Sequence, residues 1–377
     1  MPVGGRHAAG LYVHLPFCAT RCAYCTFVTS TELETMPRAL AAAAREVERL
    51  GRPAGRPLAS VYLGGGTPSL VAAELLEGLF GALRTSFTLR DRCEVTLEAN
   101  PDDVDPARLG LWRRLGVTRV SIGVQAFHDR ILRLLNRRHD AAAARRAVEL
   151  VLAAGFVVSL DLMLGLPGMS AGELAASLAE TVRLRPHHVS VYLLEMDKPH
   201  ALVRLAERHP DLVPDADAAA AQYRATGRAL VGAGFRHYEI SNYALPGCEA
   251  RHNLRYWLGQ PVLAAGVGAH GQAGRRRWAN TAELPAYLAA VEAGEAPVAW
   301  SRSLSEDEAR RERVMLGLRL ARGVASEELH ACAASAPEFG ARLEEFLSLS
   351  LARERRGTVR LTPRGWLVSN ELLAALW

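Results

Sequence analysis

Lysine is nearly missing from this 377-residue chain, with Lys198 the only one among 45 basic residues. Arginine supplies the rest, spread along the sequence, and 40 acidic residues reduce the net charge to +5. No polybasic tail or stripe stands apart, which argues against nucleic acid as a main partner. Arg275-Arg-Arg277 and Arg353-Glu-Arg-Arg356 read as solvated turns. Long apolar runs are also lacking. The longest uncharged one, Leu150 to Leu160, falls well short of the ~20 residues that span a bilayer. Residues 1–10 carry no apolar segment of a cleavable leader. Cysteine is scarce, at six, and Cys93, Cys248 and Cys332 stand alone. A disulfide framework is therefore not expected, and the chain reads as cytoplasmic.

The other three cysteines lie within eight residues, Cys18-Ala-Thr-Arg-Cys22-Ala-Tyr-Cys25. They follow Leu11–Leu15, which reads as a strand ended by Pro16, a residue with no N–H to donate. Three soft thiolates on one loop select zinc or an iron–sulfur cluster. Structural zinc takes four ligands, whereas a [4Fe–4S] cube on three thiolates keeps one iron open. A zinc loop borrowing a distant histidine, or three reduced thiols with no metal, are the alternatives.

From Leu11 to Leu194 strand and helix patterns alternate. The strands are Leu11–Leu15, Ser60–Gly64, Glu94–Ala99, Arg119–Val124, Val157–Met163 and His188–Leu193. Helical patterns fill the gaps, at Thr31–Leu50, Ser69–Ser86, Pro106–Leu115, Ala141–Ala154 and Ala171–Leu184. Such alternation implies parallel pairing with right-handed crossovers, here an α/β fold with a partial (β/α)6 barrel. Polar groups then collect at the C-terminal ends of the strands. Val262–Gly274 reads as a glycine-rich turn, and Ala293–Ser305 as a boundary. This divides the chain into residues 1–300 and a small winged-helix-like α+β unit over 305–377, with a last helix ending at Trp377. Packing or covering the barrel is the expected task of that unit.

Gly64-Gly65-Gly66-Thr67-Pro68 follows the second strand. Glycines there let the backbone approach a ligand closely. A phosphate loop is disfavoured because the Gly-Lys-Ser/Thr ending is absent. Glu98, Gln125 and Asp161 fall at or near the ends of later strands, with Arg137 just beyond the fourth. A lone Asp161 in an apolar strand is costly unless it is paired or bound.

The Cys-x3-Cys-x2-Cys spacing, with Tyr24 before the last cysteine, resembles the signature of the radical S-adenosylmethionine (SAM) family. The resemblance implies a [4Fe–4S] cluster on Cys18, Cys22 and Cys25 whose open iron chelates SAM. It implies SAM contacts from Gly65, Gly66, Thr67, Glu98, Gln125, Arg137 and Asp161, with Tyr12 and Tyr24 flanking the ligand. Pro16-Phe-Cys18, the glycine loop, Gly123-Val-Gln125 and Leu164-Gly-Leu-Pro167 are similar to the oxygen-independent coproporphyrinogen III oxidase group. The oxidases of that group carry a fourth cysteine where this chain has Phe27, and a long N-terminal extension where 17 residues precede Cys18. Thr26 stands where an acidic residue is usual.

His252-Asn-Leu-Arg-Tyr256-Trp257, Tyr238–Ala244 and Gly268-Ala-His270-Gly resemble the haem-chaperone branch of the same group. Read by its residues alone, the first segment fixes a loop through His252 and Asn253, with Trp257 in the core. The resemblance instead makes His252, Tyr256, Trp257 and His270 haem contacts. The expected function is to bind haem and pass it to an acceptor protein, respiratory or membrane-associated. Oxidative decarboxylation of coproporphyrinogen III is the alternative. The sequence leaves the oligomeric state open, with the cysteine loop as a place for a homodimer contact.

Overall fold

The computed structural model describes residues 8–52 and 56–377. Most of the leader reading over residues 1–10 therefore lies outside the described residues.

Six strands alternate with helices through the first half of the chain: β1 (Ala9–Leu15), β2 (Arg56–Gly65), β3 (Phe87–Ala99), β4 (Arg119–Gln125), β5 (Val157–Leu164) and β6 (His188–Leu193). They pair in parallel and in sequence order. The period of two sets what each face carries. Leu11, Val13, Val61, Leu63, Val95, Leu97, Val120, Ile122, Val158, Leu160, Val189 and Val191 are buried together in one continuous core. The alternate residues are polar: Ser60, Tyr62, Glu94, Thr96, Glu98, Arg119, Ser121, Ser159, Asp161, His188 and Ser190. Glu98, Ser121, Ser159 and His188 pair in register as one row across four strands. The crossover helices start where side chains can cap them: Asp105, Asp140 and Ser170 each accept a backbone N–H of the first turn.

One expectation is corrected beyond β6. Val262–Gly274 is not merely a turn. It contains β9 (Val262–Ala265), which pairs in parallel with β1 as a seventh parallel strand, and β10 (His270–Ala273). Positive-φ glycines Gly266 and Gly268 sit between those two short strands, which is why the segment reads as loop. An edge strand also lies within Ala293–Ser305, ahead of the helix that begins at Glu306. β10, β11 (Arg276–Asn280) and β12 (Val298–Ser303) extend the sheet antiparallel on that side. A hairpin of β7 (Arg236–Glu239) and β8 (Asn242–Ala244) caps the other side against β6. Among the described residues these strands form one twelve-stranded sheet.

From Glu306 the chain builds its own core around Leu329, Phe339, Phe346, Val359 and Leu372. Three helices (Glu306–Gly317, Ser326–Ser335, Pro337–Ser348) pack with a three-stranded antiparallel sheet of β13 (Val324–Ala325), β14 (Ala352–Arg355) and β15 (Thr358–Leu361). Two short helices follow, the second ending at Ala374 rather than Trp377. This unit meets the sheet at the β7–β8 turn, where the Ile240 N–H donates to the Arg319 carbonyl at 2.9 Å.

Candidate active site

The polar faces of β2 to β6 line one cavity of about 450 Å³, open at the end where the strands finish. The cysteine loop and the glycine turn form one wall at that end. They are joined by backbone bonds: the Gly66 N–H donates to Leu15 O and the Thr67 N–H to Phe17 O, both at 2.8 Å. A Cβ on Gly66 would lie 2.5 Å from the Pro16 carbonyl carbon. The glycine is needed because the segment entering the cysteine loop passes directly over it, so the space beside its Cα belongs to the chain rather than to a ligand. Gly65 has φ +105°, a region that favours glycine.

Cys18, Cys22 and Cys25 all line this cavity and none is in a disulfide. The Thr67 hydroxyl donates to Cys18 Sγ at 3.5 Å, and Arg137 Nη1 to Cys22 Sγ at 3.2 Å. One side chain ties these donors together. Asn100 Oδ1 accepts from Arg137 Nη2 at 2.6 Å, and its Nδ2 donates to Thr67 Oγ1 at 3.3 Å. Arg137 Nη2 also donates to Gly123 O at 2.6 Å. Burial raises the thiol pKa values of Cys18 and Cys25, so both are protonated without metal, and metal binding would displace those protons. Among the described residues no three His, Cys, Asp or Glu side chains are arranged around a single metal ion. A cube on three thiolates does not require that, since each sulfur binds a different iron. Three thiols on one loop, two of them already receiving hydrogen bonds, fit such a cluster.

Farther in, Glu98 accepts the Tyr62 O–H at 2.6 Å and the Gly65 N–H at 3.0 Å. Burial, with Asp161 adding to it, pushes the Glu98 carboxyl up to about 7. Burial also raises Asp161, to about 6, against hydrogen bonds from Ser190 and Ser121. Gln125 closes β4 with φ +69° and lines the cavity, as do Tyr24, Gly65, Gly66, Thr67, Glu98, Arg137 and Asp161. Tyr12 is the exception among the expected SAM neighbours. It is not a lining residue, and its hydroxyl is 3.0 Å from His14 Nδ1. His14 Nε2 lies 2.8 Å from Val28 O, so Nε2 carries the proton and Nδ1 accepts from Tyr12.

The four expected haem residues do not form one site. His252 is 1% exposed, on the helix Arg251–Trp257 that closes the inner end of the barrel. Its backbone N–H donates to Glu94 Oε1 at 2.8 Å, and Glu94 pairs with Arg119, which also holds Cys248 O. Arg255 Nε donates to Ser60 Oγ, leaving the Ser60 proton for His252 Nδ1 at 3.0 Å. His252 Nε2 has no hydrogen-bond partner, and burial lowers the ring's pKa to about 3. Tyr256 packs edge-on to that ring, Trp257 faces Arg319 of the C-terminal unit, and the exposed His270 lies against Trp300. The segment is the barrel floor: His252 is bonded there as its residues read alone suggest, whereas Asn253 lines the cavity and Trp257 is half-buried outside both cores.

Tyr62, Asn100, Ser121, Ser159, His188, Ser190 and Asn253 also line the cavity and are not foreseen as site residues. The serines and His188 had a signal, the polar alternation along β4 to β6. Asn100 had none beyond its position after β3.

A parallel α/β barrel whose mouth carries three clustered cysteines and a glycine turn defines the radical SAM class. The model of the Radical SAM superfamily matches residues 12–180, and that of the HemN C-terminal domain matches residues 304–368. Coproporphyrinogen III oxidase HemN from Escherichia coli superposes with a TM-score of 0.85 at 22% identity, over 98% of this chain and 91% of that one, a likeness of fold. The haem chaperone HemW of Mycobacterium tuberculosis H37Rv is 37% identical over 97% of this chain and 94% of its own length. HemW of Bacillus subtilis is 30% identical, over 97% and 98% respectively. HemW of Escherichia coli is 35% identical over 70% of this chain and 69% of its own. The chain belongs to the HemW family of radical SAM proteins, whose superfamily uses SAM and a [4Fe–4S] cluster.

Proposed function

We infer that this protein binds haem and hands it to an acceptor protein. Cys18, Cys22 and Cys25 would hold the cluster. Gly65, Gly66, Thr67, Glu98, Gln125, Arg137 and Asp161 would surround SAM, with Tyr24 beside them. A reduced cluster held there would supply electrons to the sulfonium of SAM. The chain's own contribution is to hold Cys18 and Cys22 through Thr67 and Arg137, to seat the glycine turn through Glu98, and to close the inner end with the Arg251–Trp257 helix.

The observation that carries this reading over the oxidase alternative is Phe27. It stands where the oxidases have a fourth thiol, and it is 67% exposed at the cavity mouth. The HemW relatives, named as haem chaperones, support the same choice. The division near residue 304, a cytoplasmic location, an acceptor at a respiratory membrane and a homodimer through the cysteine loop belong to this reading. Among the described residues no helix is long and apolar enough to cross a membrane, so such an acceptor would be met at the surface. Nucleic acid has no part in it.

The test is anaerobic haem titration of the cluster-reconstituted protein, followed by Soret absorbance and by transfer to apomyoglobin as a surrogate acceptor. Saturable binding at one haem per chain that apomyoglobin can withdraw is expected. Absence of saturable binding would refute the reading.

A further inference from the structure

We propose that haem binds at the open mouth of the barrel, on an apolar rim formed by Phe27 and Leu193, with Arg21 for its propionates. The proposal rests on the haem reading and assigns its site.

The inner end is closed to a macrocycle. His252 is 1% exposed with Nδ1 3.0 Å from Ser60 Oγ, and the helix carrying it is tied to the barrel through Glu94 and through Arg255, whose Nη1 donates to Ala8 O at 2.9 Å. Haem could reach His252 only by displacing that helix. The interior, at about 450 Å³, has the size of a site for one mid-sized ligand.

The open end has the matching chemistry. Phe27 is 67% exposed and Leu193 40%, although both are large apolar side chains, and Tyr192 beside Leu193 is 44% exposed. They come from separate segments, the cysteine loop and the end of β6, and line the same cavity with Leu194 and Met163. The helix Ala201–Arg208, which follows β6, meets the cysteine loop where the Leu202 N–H donates to Ala23 O at 3.3 Å. Exposed apolar side chains gathered at a cavity mouth mark a binding surface. A flat, apolar macrocycle would cover them.

Haem also carries two carboxylates. Arg21 lines the mouth, is exposed, and has no carboxylate within ion-pair distance among the described residues; its one side-chain bond is Nη2 to Cys25 O at 3.4 Å. The other cations lining the cavity are already engaged: Lys198 by Glu195 at 2.5 Å, Arg138 by Asp102 and Asp103, Arg119 by Glu94, and Arg137 by Asn100, Gly123 O and Cys22. Arg21 is therefore the available partner for a propionate.

The experiment titrates haem into the cluster-loaded holoprotein and into F27D, L193D, R21A and H252A, with iron content measured for each. Phe27→Asp and Leu193→Asp should each raise the haem Kd about tenfold, the scale of one large apolar side chain left unburied. Arg21→Ala should weaken haem but leave the affinity for haem dimethyl ester unchanged, because that ligand has no carboxylates. His252→Ala should bind haem as the wild type does wherever its iron content is normal. Wild-type binding that survives both rim substitutions, or that is lost only in H252A, would overturn the rim site and leave the haem reading standing. A wild-type protein that binds no haem would overturn both.

Discussion

Asn100 bridges the donors of two cysteines, so Asn100→Ala tests the cysteine-loop geometry without touching a thiol. The substitution removes the 2.6 Å acceptor of the buried Arg137 guanidinium and the 3.3 Å donor to Thr67. Arg137 Nε already lacks a partner, and Nη2 would retain only Gly123 O. A hydrogen bond to a charged group contributes about 1.5–3 kcal/mol and a neutral one about 1 kcal/mol. The two share a side chain and do not simply add, so a loss of about 2 kcal/mol is expected. For a barrel of this size that lowers Tm by about 4 °C, read as the barrel transition in calorimetry of the metal-free protein. Asn100→Asp keeps the acceptor for Arg137 and loses only the donor to Thr67, so it should recover most of the loss. In the reconstituted protein, Asn100→Ala should move the cluster's midpoint potential negative, because hydrogen bonds to the sulfurs favour the reduced state. A Tm within about 1 °C of wild type together with an unchanged potential would refute the bridging role.

Three further outcomes follow from the same geometry. Replacing Cys18, Cys22 or Cys25 by Ala should abolish the reconstituted cluster, whereas replacing Cys93, Cys248 or Cys332 should leave iron content and the visible spectrum unchanged; equal iron in Cys22→Ala and wild type would remove the loop from the account. Gly66→Ala should cost about 2 kcal/mol and lower iron content, because its Cβ meets the Pro16 backbone. Gly78→Ala, on a helix with nothing within 4 Å, should instead stabilise by about 0.5–1 kcal/mol, both changes being read by thermal denaturation. Glu98 has a folded pKa of about 7 against an ordinary 4.5. A raised carboxyl pKa contributes relative stability below the ordinary value that is lost as pH rises through about 7. Discounted for the open cavity, Glu98→Gln should therefore gain about 1–2 kcal/mol on wild type between pH 4 and pH 8, and parallel stability–pH curves would show that Glu98 does not titrate there.

The parallel barrel and the cysteine loop were legible because their signals are local. Strands β1 to β6 announce themselves through Val, Ile and Leu at every second position, and three cysteines in eight residues constrain one another. Beyond β6 the local signal fails. The strands β9 to β12 are four to six residues long and punctuated by glycines, and only their pairing beside β1 identifies them. Sequence places His252, Tyr256 and Trp257 on one segment and gives the side chains suited to haem. It does not reveal that Glu94 and Ser60, 158 and 192 residues away, seal His252 into the floor. Phe27 is the opposite case: one apolar residue in place of an expected thiol, visible in the sequence, and given its meaning by its exposure at the mouth.

The choice between chaperone and oxidase is met most directly by incubating the anaerobically reconstituted protein with coproporphyrinogen III, SAM and a reductant, and measuring protoporphyrinogen IX and released CO2. Cluster integrity is verified in the same sample by its iron content and EPR signal. The account predicts no product above the protein-free control, from a protein that binds haem stoichiometrically in a parallel titration. Formation of protoporphyrinogen IX over multiple turnovers would contradict it.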